Sequence, residues 1–133
     1  MFCPNCKKEI LVIMEYNGTE IDFCPKCLGI WLDAEELRWI LKGNFDEQSL
    51  FKELKTPEKK KHCPRCRAKM RKVGMIEGNQ IVYDTCPNFH GFWFDRGELE
   101  DIVRNLPQYP GTPTFLQWLA DVFSYSTNIE NRK

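Results

Sequence analysis

Hydrophobic residues run through the same succession of periods twice along the chain. In the first copy, Ile10-Leu11-Val12-Ile13-Met14 is an apolar, β-branched run that predicts a strand. Glu20-Ile21-Asp22-Phe23 alternates polar and apolar, the signature of a half-buried strand. Asn17-Gly18 lies between them and predicts a hairpin. A short apolar strand, Ile30-Trp31-Leu32, follows. The period then lengthens: Leu37, Ile40 and Leu41 fall at i, i+3, i+4, one face of a helix. Asp33 is placed to cap that helix, Glu36 lies at capping-box spacing, and Gly43 is a stop.

The second copy keeps this order. Val73 to Ile76 and Ile81 to Tyr83 flank Gly78-Asn79, and Phe92-Trp93-Phe94 stands where Ile30-Trp31-Leu32 stood. Asp95 and Glu98 repeat the capping box. Leu99, Ile102, Val103 and Leu106 form the helical face, which Pro107 ends. Between the copies, residues 46–54 predict a short helix with Leu50, Phe51 and Leu54 apolar, and Lys55 to Lys61 is a polar linker. After the turn-rich Pro110-Gly111-Thr112-Pro113, a last helix is expected from about Thr114. Its apolar residues include Phe115, Leu116, Trp118, Leu119, Val122 and Phe123, and the polar final residues are expected to fray. The predicted organisation is unit one (1–43), a linker helix and basic linker (44–61), unit two (62–107), and a C-terminal helix with tail (108–133). The linker helix and the C-terminal helix are expected to hold the two units together.

Units of about forty residues bury too little apolar surface to fold alone and need a staple. The cysteines supply one. Cys3-Pro4-Asn5-Cys6 is followed after seventeen residues by Cys24-Pro25-Lys26-Cys27. Cys63-Pro64-Arg65-Cys66 is followed after nineteen by Cys86, with His90 beyond it. Paired C-x-x-C turns aim four sulfurs at one point, the donor set of a structural zinc ion. Such an ion contributes on the order of 10–16 kcal/mol, so each unit is expected to be unfolded without it. Seven cysteines in pairs, with a histidine for the eighth ligand, argue against disulfides. Cys3 also lies where a signal peptide would place its charged start and apolar run. A reduced, cytoplasmic protein is expected. No run reaches the roughly 18 apolar residues of a membrane span, so no membrane partner is expected.

The candidate ligands are therefore Cys3, Cys6, Cys24 and Cys27 for one ion, and Cys63, Cys66, Cys86 and His90 for the other. Two zinc ions are the expected cofactors, with rubredoxin-like iron, and with it an electron carrier, the alternative in the four-cysteine site. Aligning Cys24 with Cys86 puts Phe89 at the position of Cys27 and His90 one place later. His90, being longer than cysteine, can still reach the metal. His62 or solvent would otherwise complete that shell, and an open three-cysteine site would be the beginning of a hydrolytic zinc enzyme. No His-x-Glu, His-Glu-x-x-His or phosphate-cradling glycine loop is present. A closed four-ligand site leaves no position for substrate. No catalytic residue is assigned and no small-molecule substrate is expected.

Net charge is zero but uneven: residues 1–54 carry net −4 and residues 55–104 net +4. Thiolates in one zinc site of four cysteines and one of three cysteines with a histidine shift these to about −6 and +3. Lys60, Lys61, Arg65, Arg67, Lys69, Arg71 and Lys72 surround one knuckle without an intervening acid, the candidate contact for nucleic-acid phosphates. A solvated linker that balances the acidic first unit is the plainer explanation. Phe115, Trp118 and Leu119 are candidate partner-binding residues, with packing back on the two units the favoured alternative. Trp31 and Trp93 are expected to pack in the core rather than to stack on bases.

These residues resemble the zinc-ribbon family named after transcription factor IIB, with its pattern C-P-x-C, a hairpin, then C-x-x-C-x-G-x-W-x-D-x-x-E-L. Unit one matches at Cys3, Pro4, Cys6, Cys24, Cys27, Gly29, Trp31, Asp33, Glu36 and Leu37. Unit two matches at Cys63, Pro64, Cys66, Cys86, Gly91, Trp93, Asp95, Glu98 and Leu99, and departs at Phe89-His90. The resemblance implies a small, metal-stabilised α+β fold of two tandem zinc ribbons. It suggests a transcription-related adaptor for protein or nucleic acid, without choosing between them.

Overall fold

The computed structural model describes residues 1–33, 35–36, 52–53, 59–75, 81–105 and 117–121. Seven strands form one sheet: β1 (Val12–Tyr16), β2 (Thr19–Phe23), β3 (Ile30–Leu32), β4 (Lys52–Glu53), β5 (Arg71–Met75), β6 (Ile81–Thr85) and β7 (Phe92–Phe94). The spatial order is β1-β2-β3-β7-β6-β5-β4, and every neighbouring pair is antiparallel. One helix, α1 (Glu98–Asn105), follows β7. Residues 35–36 and 117–121 are also helical.

The hairpin of unit one forms as its turn residues dictate. Asn17 and Gly18 both have positive φ (49° and 82°), and Tyr16 pairs directly with Thr19. That is a two-residue turn whose twist suits the flanking strands. β1 starts at Val12, two residues later than the apolar run, because Ile10 instead bridges to Phe2 beside the first knuckle.

The join between units includes a strand pairing beyond the expected helices, while Leu119 of the C-terminal helix does pack on both units. Strand β3 pairs with β7, with Ile30 opposite Phe94, Trp31 opposite Trp93 and Leu32 opposite Phe92. The two units thus share a continuous sheet. The expected linker helix over residues 46–54 is also corrected at Lys52–Glu53, which form strand β4 on the outer edge of β5. A strand edge beside β5 offers a row of unpaired backbone groups, and two residues of ladder outweigh local helix preference there. The remainder of that predicted helix lies outside the described residues, as do Leu37, Ile40, Leu41, Gly43, the 76–80 turn, Leu106 and Pro107.

Strand alternation divides the sheet into two faces. Ile21, Phe23, Ile30, Leu32, Val73, Tyr83, Phe92 and Phe94 form an apolar core drawn from both units, closed by Leu99 and Ile102 of α1 and by Leu119. Leu11, Trp31, Met70 and Trp93 pack with Cys3, Cys24, Cys63 and Cys86 in a second cluster. The triplets Ile30-Trp31-Leu32 and Phe92-Trp93-Phe94 are buried throughout because they lie mid-sheet with both faces covered.

Leu119 is 1% exposed in the shared core, and the Trp118 ring lies 5.1 Å from that of Tyr16. Packing back on the two units, the favoured of the two expectations for this helix, is what both residues do, and their candidacy as partner contacts is corrected, because an apolar helix face is buried where an apolar sheet face is available. Phe115, Leu116, Val122 and Phe123 lie outside the described residues. No helix among the described residues is long and apolar enough to cross a membrane.

Candidate metal centres

Each unit gathers four donors: Cys3, Cys6, Cys24 and Cys27 in one, Cys63, Cys66, Cys86 and His90 in the other, each set within 4.8 Å. All seven cysteines are free. The Sγ atoms of Cys3 and Cys27 are 3.6 Å apart, those of Cys6 and Cys24 3.8 Å, and those of Cys66 and Cys86 3.5 Å. A disulfide needs about 2.05 Å. Tetrahedral zinc with Zn–S near 2.3 Å puts sulfurs about 3.8 Å apart, and a zinc-bound sulfur and nitrogen about 3.6 Å apart. His90 Nδ1 lies 3.6 Å from Cys86 Sγ. Both donor sets therefore fit one tetrahedral ion, and His62 is exposed on a separate bridge to Lys69.

The knuckles explain how a histidine one residue late can replace a cysteine. Three of them close with an i+4 backbone bond: Lys7 N–H to Cys3 O, Leu28 N–H to Cys24 O, and Arg67 N–H to Cys63 O. Lys7, Leu28 and Arg67 accordingly have positive φ. In the fourth, Phe89 N–H donates to Cys86 O, an i+3 bond, and Phe89 takes the positive φ of 62°. The turn closes one residue earlier, so Phe89 is turned outward and His90 faces the donors. Both second knuckles still end alike, with Cys24 N–H on Gly29 O and Cys86 N–H on Gly91 O. The shift is absorbed inside the turn and the sheet register beyond it is preserved.

Backbone amides support the thiolates. Cys6 N–H lies 3.3 Å from Cys3 Sγ, Cys27 N–H 3.5 Å from Cys24 Sγ, Arg65 N–H 3.4 Å from Cys63 Sγ and Asn88 N–H 3.3 Å from Cys86 Sγ. Two asparagines that pattern reading of the chain does not single out add side-chain donors. Asn5 Nδ2 reaches Cys27 Sγ at 3.8 Å, and Asn88 Nδ2 reaches Cys66 Sγ at 3.5 Å. Each sits between proline and the next ligand or turn residue in one knuckle and braces a sulfur of the opposite knuckle. That shared position was the available signal.

These contacts set where charge resides before the ion enters. The Cys3 thiol beside Cys27 pulls Cys27 down to about 5, helped by the Gly29 amide and Asn5. The Ala68 amide, then Asn88, pulls Cys66 down to about 6. Burial pushes Cys6 up to about 11 and Cys63 up to about 12. Cys27 and Cys66 are thus the favoured thiolates, and metal binding displaces the protons that burial helps to hold on Cys6 and Cys63.

The chain belongs to the transcription factor zinc-finger family. The family's model matches residues 2–43 and 62–105, both repeats and about two-thirds of the chain. No curated protein and no solved structure matches the chain. As a tandem zinc ribbon, the molecule explains several motif residues by the contact between its copies. A Cβ on Gly29 would overlap the Trp93 ring, and one on Gly91 would meet the Leu32 carbonyl and the Trp31 ring. Each ribbon's glycine thus makes room beside the other ribbon's tryptophan.

The predicted capping boxes differ in one half. In ribbon one the box is reciprocal: Glu36 N–H donates to Asp33 Oδ1 at 2.7 Å, and Asp33 N–H to Glu36 Oε2 at 3.2 Å. In ribbon two Asp95 N–H donates to Glu98 Oε2 at 2.9 Å, but Glu98 N–H takes the Asp95 backbone carbonyl. The Asp95 carboxylate is occupied elsewhere. It accepts from Asn5 Nδ2 at 2.6 Å, from Trp93 Nε1 at 3.1 Å, and from Lys61 Nζ in a short ion pair. Burial works to raise its pKa, but these donors outweigh burial and hold it below the ordinary value. Asn5 therefore connects the Cys27 thiolate to Asp95, one metal shell to the other ribbon.

The basic set divides in two. Lys72 is 4% exposed and pairs with the buried Asp84 at 2.7 Å, so it is removed from the candidate phosphate contacts. The two face each other across β5 and β6, and burial raises the Asp84 carboxyl above its ordinary value although Lys72 and Lys61 work to lower it. Lys61, half-buried, is committed to Asp95 and lies 3.9 Å from Asp84. Lys60, Arg65, Arg67, Lys69 and Arg71 are exposed and make no ion pair with any described residue.

Proposed function

We propose that the tandem ribbon is a non-enzymatic, zinc-ordered adaptor that recognises nucleic acid through the first knuckle of ribbon two, in a transcription-related role. The observation that carries this reading is the exposed cation set Lys60, Arg65, Arg67, Lys69 and Arg71, clustered in sequence around Cys66 and without an ion pair among the described residues. Asp84 and Asp95, the acids that Lys61 faces, are already neutralised by Lys72 and Lys61. Among the described residues this surface keeps positive charge with no acid paired to it, the electrostatic footprint of a phosphate-binding face. Zinc, the family's usual ion, is the metal this reading assigns to both sites; iron in the four-cysteine site is the alternative. A closed set of four donors at each site supports a structural rather than a catalytic ion.

The test is binding of the zinc-loaded chain to labelled DNA and RNA across a salt series. Affinity is expected to fall steeply with salt and to be lost on reversing Arg65, Arg67 and Lys69 to glutamate. Affinity unchanged by those reversals would overturn the assignment of this face.

A further inference from the structure

We propose that Phe89 is a stacking platform for an unpaired base, so that the ligand of ribbon two is single-stranded rather than duplex nucleic acid. This inference rests on the nucleic-acid reading above and adds the aromatic contact to it. Phe89 is 91% exposed, about twice as open as Phe2, whereas Phe92, Trp93 and Phe94 in the same ribbon are buried. A lone exposed hydrophobic residue is common and by itself means little. Three further observations give this one a role.

First, its position is imposed by the turn. The i+3 closure at Cys86 puts Phe89 at φ 62° and directs His90 to the metal. Glycine or asparagine suits that backbone better than a bulky side chain, so phenylalanine there costs stability. Second, Phe89 and two cations lie on the two knuckles of one metal site. Its neighbour Asn88 donates to Cys66 Sγ, and Arg65 and Arg67 flank Cys66 on the facing knuckle. Cys66 Sγ and Cys86 Sγ are 3.5 Å apart, so the two knuckle tips border one metal site. Third, Arg65 and Arg67 are exposed without an ion pair among the described residues, and residues 59–72 contain no acid.

An exposed phenyl ring at the rim of a metal site whose facing knuckle carries two exposed arginines matches the chemistry of a single strand. The ring takes the face of a splayed base, and the arginines take the phosphates on either side. In a duplex the base faces are stacked inside and unavailable to the ring. An acidic protein segment would satisfy the arginines but would leave the phenyl face without a planar partner.

The experiment uses the full chain loaded with two equivalents of zinc and fluorescence anisotropy at low salt. The probes are a short mixed-sequence single-stranded DNA and the matching duplex. The wild type is expected to prefer the single strand. Phe89→Ala is expected to lose roughly tenfold in single-strand affinity with duplex affinity unchanged. Phe89→Tyr should retain binding, and Phe89→Leu, apolar but without a π face, should lose it as alanine does. Zinc content is measured for each variant, and should alanine lose the ion, the leucine and tyrosine pair decides alone. Wild-type affinity in Phe89→Leu, with loss on reversal of Arg65 and Arg67, would overturn the stacking role and leave the phosphate face standing. Absence of binding to either probe would overturn both.

Discussion

Trp31 and Trp93 stand directly opposite each other across the β3–β7 pair, where the two ribbons meet. The register continues outward from them on both sides. Trp31 is opposite Asp22 and Asp22 opposite Ile13, while Trp93 is opposite Asp84 and Asp84 opposite Lys72. The row reads alike from either end until its last member. Ribbon one ends on an exposed isoleucine, and ribbon two ends on a buried lysine. The repeat is thus nearly two-fold symmetric at its centre and asymmetric in charge at its rim.

The fit of Gly29 against Trp93 predicts a packing-sensitive centre. Gly29→Ala drives a methyl group into the indole and is expected to destabilise the zinc-loaded chain by about 1–3 kcal/mol. Because the core is shared, urea denaturation should shift as one transition. Loss of one ribbon's signal alone, with the other unmoved, would show that the ribbons fold independently.

The fourth knuckle makes a prediction about turn geometry. His90→Ala is expected to weaken metal binding at ribbon two and leave ribbon one intact, as read by metal competition with a chelator. The double variant Phe89→Cys with His90→Leu restores the C-x-x-C spacing after Cys86 and should recover a tight site, because the end of the turn at Gly91 already matches that at Gly29. His90→Cys alone should recover less, since the shorter side chain starts from the same displaced position.

Lys72 is expected to matter for folding rather than for binding a partner. Removing it leaves the Asp84 carboxylate, 1% exposed, with only Lys61 at 3.9 Å among the described cations. Lys72→Ala should therefore cost roughly 3 kcal/mol in chemical denaturation. Nucleic-acid affinity of the folded fraction should stay within about twofold of wild type, in contrast to reversal of the exposed arginines.

Glu98 gives the fold a pH dependence of definite sign. Burial lifts its pKa to about 7 despite the Asp95 amide. A carboxyl raised in the folded state adds stability below its ordinary value of 4.5 and loses it as pH rises through about 7. Glu98→Gln keeps a capping acceptor for the Asp95 amide and never ionises. Its stability relative to wild type should thus increase between about pH 5 and pH 8. Denaturation curves at saturating zinc, compared at each pH, check this, and a flat difference would contradict it. Glu36, lifted to about 7 by burial in ribbon one, should leave the variant with a residual slope of the same sign.

Much of the fold was legible because its determinants are local. Ligand spacing, the Asn17-Gly18 turn and the Asp33–Glu36 box each involve residues close in sequence, and each formed as read. What escaped was long-range. Nothing in Ile30-Trp31-Leu32 says that its open edge pairs with Phe92-Trp93-Phe94, although apolar triplets buried on both faces are consistent with it. The Asp95 carboxylate read as a cap because its donors Asn5 and Lys61 come from distant segments. Lys72 read as part of a basic surface because charge runs do not reveal which strand face a side chain takes. The spacing located His90 but did not reveal the corollary that Phe89 must be turned outward.

The tandem ribbon and its proposed role depend most on two closed four-donor sites. Replacing zinc with cobalt(II) and recording the absorption spectrum during titration tests this directly. Two equivalents should bind, both with the intense ligand-field bands of four-coordinate cobalt and thiolate charge transfer, and His90→Ala should perturb one set alone. Weak bands of five- or six-coordinate cobalt at ribbon two, unchanged by His90→Ala, would contradict the closed site of three cysteines and a histidine and reopen a catalytic role.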